Sequence, residues 1–296
     1  MTYPTTEALR DAHVFIDGDK PWQAELRLRQ SLWRQRLGIP PGVVGERAVG
    51  SRLPAGDRNS NFLTPAVATA VEEARAQTGA LVSAPRVYDN LLSSQPLAFN
   101  LFAEAAADPA LRTATGRALW PDLLAVVDRV GFEWSPGRSD RAFLGNRSAF
   151  DVVITGRDPA GRSALVGIEV KYHEDMTQDP GKPDNPRYGE VATASGVFRD
   201  PNAPALRQLP LRQIWFDHLL ALSTIGAGTA RARFVLLAPA INPAATAVDA
   251  AYREHLVDAL TYERRSLEEV AAVVRWCAGP GWADQFAERY LAPTPQ

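Results

Sequence analysis

The stretch ALVGIEVKYHED, residues 164–175, is an apolar strand pattern into which charge breaks at Glu169 and Lys171. Two positions apart on a strand, these side chains point to the same face. Burying either one unpartnered costs several kcal/mol, so their placement calls for a partner or a use. A further carboxylate, Asp151, opens the preceding strand pattern, Phe150 to Gly156, and Asp158-Pro159-Ala160-Gly161 is a strong turn between the two. With Ala160 at the turn centre and Gly161 at the bulge of a three-residue loop, Asp151 falls opposite Glu169, where Cβ atoms lie about 4.5–5.5 Å apart. A slip of one residue would put them on opposite faces. Two carboxylates that close repel unless a cation lies between them, and hard divalent ions such as Mg²⁺ or Mn²⁺ take oxygen ligands. The chemistry this favours is phosphodiester hydrolysis: the cation lowers the pKa of a water and stabilises charge on the phosphorane. The Lys171 ammonium would orient the nucleophile or stabilise the transition state. The competing reading is a structural Glu169–Lys171 ion pair at a sheet edge.

The elements that must position these residues follow from periodicity and turn chemistry. Residues 21–37 carry Trp22, Leu26, Trp33 and Leu37 near helical spacing behind Pro21, and Gly38 to Gly42 end that helix. Residues 43–62 read as irregular, and Thr64-Pro65 opens a second helix closed by Gly79. Leu97 to Ala107 and Leu119 to Val130 read as helices, and Phe132 to Ser135 as a short strand. After the hairpin, residues 174–204 are rich in Pro, Gly and Asp and read as a long loop of a functional kind. Residues 205–223 then form a helix disturbed by Pro210, 233–238 a buried strand, 245–260 a helix, and 267–277 a helix capped by Ser266 with Glu269. This order predicts an α/β (α+β) fold with a mixed central sheet flanked by helices. Residues 1–90 form a helical, loop-rich N-terminal accessory region, and residues 91–296 hold the hairpin and its chemistry.

Composition sets the bounds. The 296 residues are 46% hydrophobic and 22% charged, an ordinary globular balance. A formal net charge of −2 and a pI near 6.1 give no global attraction to nucleic acid or membrane, so a polyanion must meet a local basic patch. No apolar run is long enough for a transmembrane helix, and MTYPTTEALRDAH lacks the basic start and apolar core of a secretory signal. Cys277, the sole cysteine, excludes an internal disulfide, a CxxC metal site and a four-cysteine cluster, and reads as a small buried hydrophobe. A cytoplasmic protein is the simplest expectation. Only Lys20, Lys171 and Lys182 are lysines, against 29 arginines.

Other side chains stand near the hairpin in sequence or pattern. Glu133, on the strand before it, is a candidate additional carboxylate, with an exposed strand residue the alternative. His173 continues the face of Glu169 and Lys171. Gln213 and His218 lie on the helix after the long loop, His218 among leucines. Arg138, Arg141 and Arg147 cluster ahead of Asp151 as candidate phosphate contacts, while Glu263-Arg264-Arg265 reads as surface.

Asp151 followed by Glu169-Val170-Lys171 at the end of the next strand resembles the PD-(D/E)XK nuclease superfamily. GIEVKYHED, with SSQPLAFNLF (93–102) and SPGR (135–138) before it, is similar to a bacterial restriction-endonuclease family within it. The resemblance spans roughly residues 90–290, with Phe150 in place of the motif's proline. It implies a restriction-endonuclease-like fold and a metal-dependent nuclease acting on DNA, with a homodimer open to it. It further implies that Asp151 and Glu169 bind the metal, with the Val170 carbonyl as a third ligand, and that Lys171 is the catalytic lysine. The rival readings are an inactive nucleic-acid-binding module with the same fold, and a hydrolase of another phosphate substrate.

Overall fold

The computed structural model describes residues 3–177 and 185–291. The chain begins with α1 (Thr6–Asp11), α2 (Pro21–Arg36), a short hairpin of β1 (Gly42–Val44) and β2 (Arg47–Val49), α3 (Pro65–Ala76), α4 (Arg86–Asp89), α5 (Ser94–Ala107) and α6 (Pro109–Leu119). Three strands follow, β3 (Val126–Trp134), β4 (Phe150–Arg157) and β5 (Ser163–Val170). Then come α7 (Pro186–Ser195), a 3₁₀ turn at Pro204–Arg207, α8 (Leu211–Ser223), β6 (Arg231–Ala238), α9 (Pro243–Arg253), β7 (Tyr262–Ser266), α10 (Leu267–Ala278) and α11 (Trp282–Tyr290).

The large sheet has the order β3-β4-β5-β6-β7. Its first three strands pair antiparallel and its last three parallel. This is the mixed sheet flanked by helices that the sequence predicts. β5 is therefore central rather than at an edge, and both of its faces are covered. Ala164, Val166, Ile168 and Val170 enter a core shared with α5, α10 and the N-terminal residues Trp22, Leu26, Val67 and Val71. Leu165 enters the opposite core, built with α7, α8 and α9. Parallel pairing needs long crossovers, and α7 with α8 supplies the one from β5 to β6.

Several segments differ from the sequence expectation, among them the β1–β2 hairpin, largely within residues 43–62, which read as irregular. Residues 126–130 are strand, not helix: α6 stops at Leu119, turns at Pro121 intervene, and Val126, Val127 and Val130 favour the pleated surface. The expected loop of 174–204 contains α7, started by the Asn185 side chain and Pro186 and ended by Gly196 in a left-handed conformation. Its residues 178–184 lie outside the described residues. Glu263, Arg264 and Arg265 lie in β7, an edge strand of half-buried charges. Glu263 accepts from the Trp120 indole at 3.1 Å. Helix α9 ends at Arg253, short of Leu260.

Candidate active site

The hairpin turn sets everything downstream. Asp158 N donates to Arg162 O and Gly161 N donates to Asp158 O, both at 2.9 Å. Gly161 takes the positive φ of 77° that a bulge of this kind requires. The resulting ladder runs from Arg157↔Ser163 to Val152↔Ile168, and one further step places Asp151 across from Glu169, in the register read from the sequence. On the other side of β4, the pairs Phe132↔Val152 and Trp134↔Phe150 bracket Glu133 and Asp151. Glu133, Asp151 and Glu169 therefore form a row across three strands, and all three line one cleft of about 690 Å³. Gly167 keeps that face open to Phe150, whose ring lies 2.5 Å from where a Cβ would be.

Each carboxylate in the row is held by one oxygen. Val170 N donates to Asp151 Oδ2 at 2.8 Å. Gln95 Nε2 donates to Glu133 Oε1 at 2.7 Å. Glu169 Oε1 accepts from both Lys171 Nζ, at 2.7 Å, and Gln213 Nε2, at 2.6 Å. The opposite oxygen of each accepts no hydrogen bond among the described residues. Because N–H and C=O of one strand residue point to the same side, the Val170 carbonyl lies on the Asp151 side as well.

Burial, then the charges of Glu169 and Glu133, push the Asp151 carboxyl well above the usual carboxylate range. Burial raises Glu133 too, against the Gln95 hydrogen bond, with Glu169 adding to the rise. Lys171 is 6% exposed, and burial alone would lower its pKa. The neighbouring Glu169, Glu174 and Asp151 outweigh that and hold the ammonium above its ordinary range. It is a fixed cation beside a site short of positive charge.

Helix α8 adds a residue that the sequence reading passed over. Asp217 sits one turn beyond Gln213, on the same helix face, and lines the same cleft. It is 6% exposed, and its Oδ2 is buried without a hydrogen-bond donor among the described residues. Burial, followed by the charge of Glu169, lifts its carboxyl well above the usual range. A carboxylate inside the apolar run IWFDHLLAL, spaced four from Gln213, was the available signal.

The remaining candidates separate. Arg147 is exposed on the cleft rim. Arg138 donates to the backbone carbonyls of Glu133, at 2.6 Å, and Arg147, at 3.1 Å, and so ties the end of β3 to the following loop. Arg141 is exposed on that loop, outside the cleft lining. His173 is not in the cleft. It packs against Trp22 at 6.0 Å between ring centroids, and its Nε2 faces Arg27 Nη2 at 3.2 Å. His218 is buried between Tyr252 Oη and Thr261 Oγ1, at 2.9 Å from each.

Among the described residues no three His, Cys, Asp or Glu side chains are gathered as a ready cage for a metal. Mg²⁺ needs none: it binds through one or two carboxylates and fills its other positions with water and phosphate. The uncommitted oxygens of Asp151 and Glu169, the carbonyl of Val170 and the proton-holding tendency of Asp151 fit such an ion, because each is a hard oxygen donor that a cation would relieve of repulsion.

A family model described as the PD-(D/E)XK nuclease superfamily matches residues 17–292, nearly the whole chain. No curated protein and no solved structure matches the chain.

Proposed function

This chain belongs to the PD-(D/E)XK nuclease superfamily, and on that premise we propose that it is a Mg²⁺- or Mn²⁺-dependent endonuclease hydrolysing DNA phosphodiester bonds. The observation that carries this reading is the row of carboxylates, each with one oxygen that accepts no hydrogen bond among the described residues, beside the buried ammonium of Lys171. Asp151, Glu169 and the Val170 carbonyl are the residues that would hold the cation. Bound there, it would supply Lewis acidity to water and phosphate.

The chain's own groups do the rest. Lys171, held as a cation by its carboxylate neighbours, stabilises negative charge on the phosphate in the transition state rather than removing a proton. Gln213 and Lys171 together fix the rotamer of Glu169. The Val170 N–H fixes Asp151, and Gln95 fixes Glu133, an additional carboxylate of the site. Arg147 on the rim meets a neighbouring phosphate, which gives a chain of net charge −2 a local basic contact. Residues 1–90 act as an accessory layer on the domain of residues 91–296. No helix among the described residues is long and apolar enough to cross a membrane, and we place the protein in the cytoplasm with its DNA.

The test is incubation of supercoiled plasmid with the protein and Mg²⁺, Mn²⁺, Ca²⁺ or EDTA. Nicked or linear product with Mg²⁺ and Mn²⁺, and none in EDTA, is expected. Ca²⁺, less demanding of octahedral geometry, should allow binding with little cleavage. Binding without cleavage under every metal would identify an inactive module, and cleavage undiminished in EDTA would remove the metal from the reaction.

A further inference from the structure

We propose that a pocket of about 520 Å³ between the N-terminal layer and the end of β5 is a phosphate-binding site, filled by a backbone phosphate of the nucleic acid or by a small free phosphate. With a strand as the source, the inference rests on the nuclease reading above. The pocket itself shares no lining residue with the carboxylate cleft.

Its charged lining comes from four elements: Arg27 of α2, Arg52 after β2, Arg86 of α4 and Glu174 after β5. Arg27 is spent on Asp19, to which it donates from Nε and Nη2 at 2.7 and 3.1 Å. The other two guanidinium groups are only partly committed. Arg52 gives Nη1 to Asp89 at 2.8 Å, and Arg86 gives Nε to Ser93 Oγ at 2.9 Å. Their remaining nitrogens donate no hydrogen bond among the described residues, and Arg86 Nη2 stands 3.7 Å from Glu174 Oε1.

The acceptors near them are already taken. Glu174 is the only carboxylate among the described residues of the lining. Its Oε1 accepts from Ser94 Oγ at 2.9 Å and its Oε2 from Tyr172 N at 2.8 Å. Asp19 and Asp89 grip Arg27 and Arg52 without lining the pocket. The pocket thus has fixed, charged donors in excess of acceptors, which a phosphate with its several acceptor oxygens answers. Helix α5 adds to this, because its N-cap Ser93 lines the pocket and brings the positive end of the helix dipole there. The same turn joins the pocket to the cleft: Ser94 donates to Glu174, and Gln95 donates to Glu133. A strand that crosses the cleft and continues over the first turn of α5 reaches the arginines with another of its phosphates.

The test uses the full-length protein in two arms. In the first, fluorescence anisotropy of a labelled DNA duplex in Ca²⁺ gives affinity against salt for wild type and for a double variant, Arg52→Gln with Arg86→Gln. The variant should bind about tenfold more weakly, with the slope of log affinity against log salt shallower by about one. Lysine at both positions should restore the slope but not the full affinity, because the planar fork is lost. In the second arm, the metal-free melting temperature is followed as inorganic phosphate is added at constant ionic strength. Arg117→Gln, beside Pro159 of the β4–β5 turn, is the control and should match wild type in both arms. A loss in the first arm assigns the pocket to the strand. A phosphate-induced rise in wild type that the double variant lacks, with DNA binding unchanged, assigns it to a small phosphate. A double variant that matches wild type in both arms overturns the site. Arg86 is the more exposed of the two, and Arg86→Gln alone carries the test should the double variant melt early. No DNA binding by wild type removes the nuclease reading and leaves the second arm to decide the pocket.

Discussion

Lys171 is one of three lysines among 32 basic residues, and its environment explains why arginine would not serve. Its Nζ is 2.7 Å from Glu169 Oε1 in a pocket shared with Gln213, where a compact head fits and a planar guanidinium would crowd the cation positions. Lys171→Arg should therefore fold with a melting temperature close to wild type and lose cleavage by about two to three orders of magnitude. Were the pair merely structural, Arg would replace Lys well, because it pairs bidentately with carboxylates. Asp151→Asn should weaken Mn²⁺ binding while raising metal-free stability at pH 7. Burial and Glu169 disfavour the Asp151 charge, and the amide oxygen can still accept from Val170 N. Calorimetry with and without the ion measures both effects. At this scale Asp151, Glu169 and Lys171 were legible because one turn with one glycine sets their register. Asp217 was not, because an aspartate within a helix reads as solvated until packing shows which face is covered.

Between elements, one pH-sensitive contact joins α2 to the end of β5. Burial, then Arg27, depresses the His173 pKa from 6.5 to about 4, against the opposing pull of Asp19, Glu174 and Asp175. The folded protein thus resists a proton that the unfolded chain accepts. The stability contribution is complete above about pH 6.5 and is lost as pH falls towards 4, by up to about 3 kcal/mol. His173→Gln should flatten this part of the denaturation-midpoint profile between pH 4 and 6.5, and an unchanged slope would show that the imidazole does not titrate against Arg27. Among the elements, α2, α3, α10 and the β4–β5 hairpin were legible from period and caps. The start of β3 was not: Leu119 to Val130 carries apolar residues compatible with either period, and only pairing with β4 decides for strand. Helix α7 hid behind composition, although Asn185-Pro186 and Gly196 carry ordinary start and stop signals.

For the molecule as a whole, the N-terminal layer and the nuclease sheet share one core. Trp22, 4% exposed, belongs to the same cluster as Leu97, Val152 and Ile168. Trp22→Ala should cost about 3–5 kcal/mol and lower the midpoint of a single denaturation transition for the entire chain; a separate, earlier transition of the N-terminal region would contradict a shared core. The mixed-sheet architecture was legible from the order of elements, whereas the continuity of this core was not, because sequence alone does not say which distant apolar faces meet. The proposed reaction is tested most directly by single-turnover cleavage of a labelled DNA duplex by wild type and Asp151→Asn across a Mg²⁺ titration. Saturable Mg²⁺-dependent cleavage by wild type is expected, with a rate at least about 100-fold lower in the folded variant. Equal rates in the two proteins, or cleavage that persists without a divalent ion, would contradict a metal centre built on Asp151.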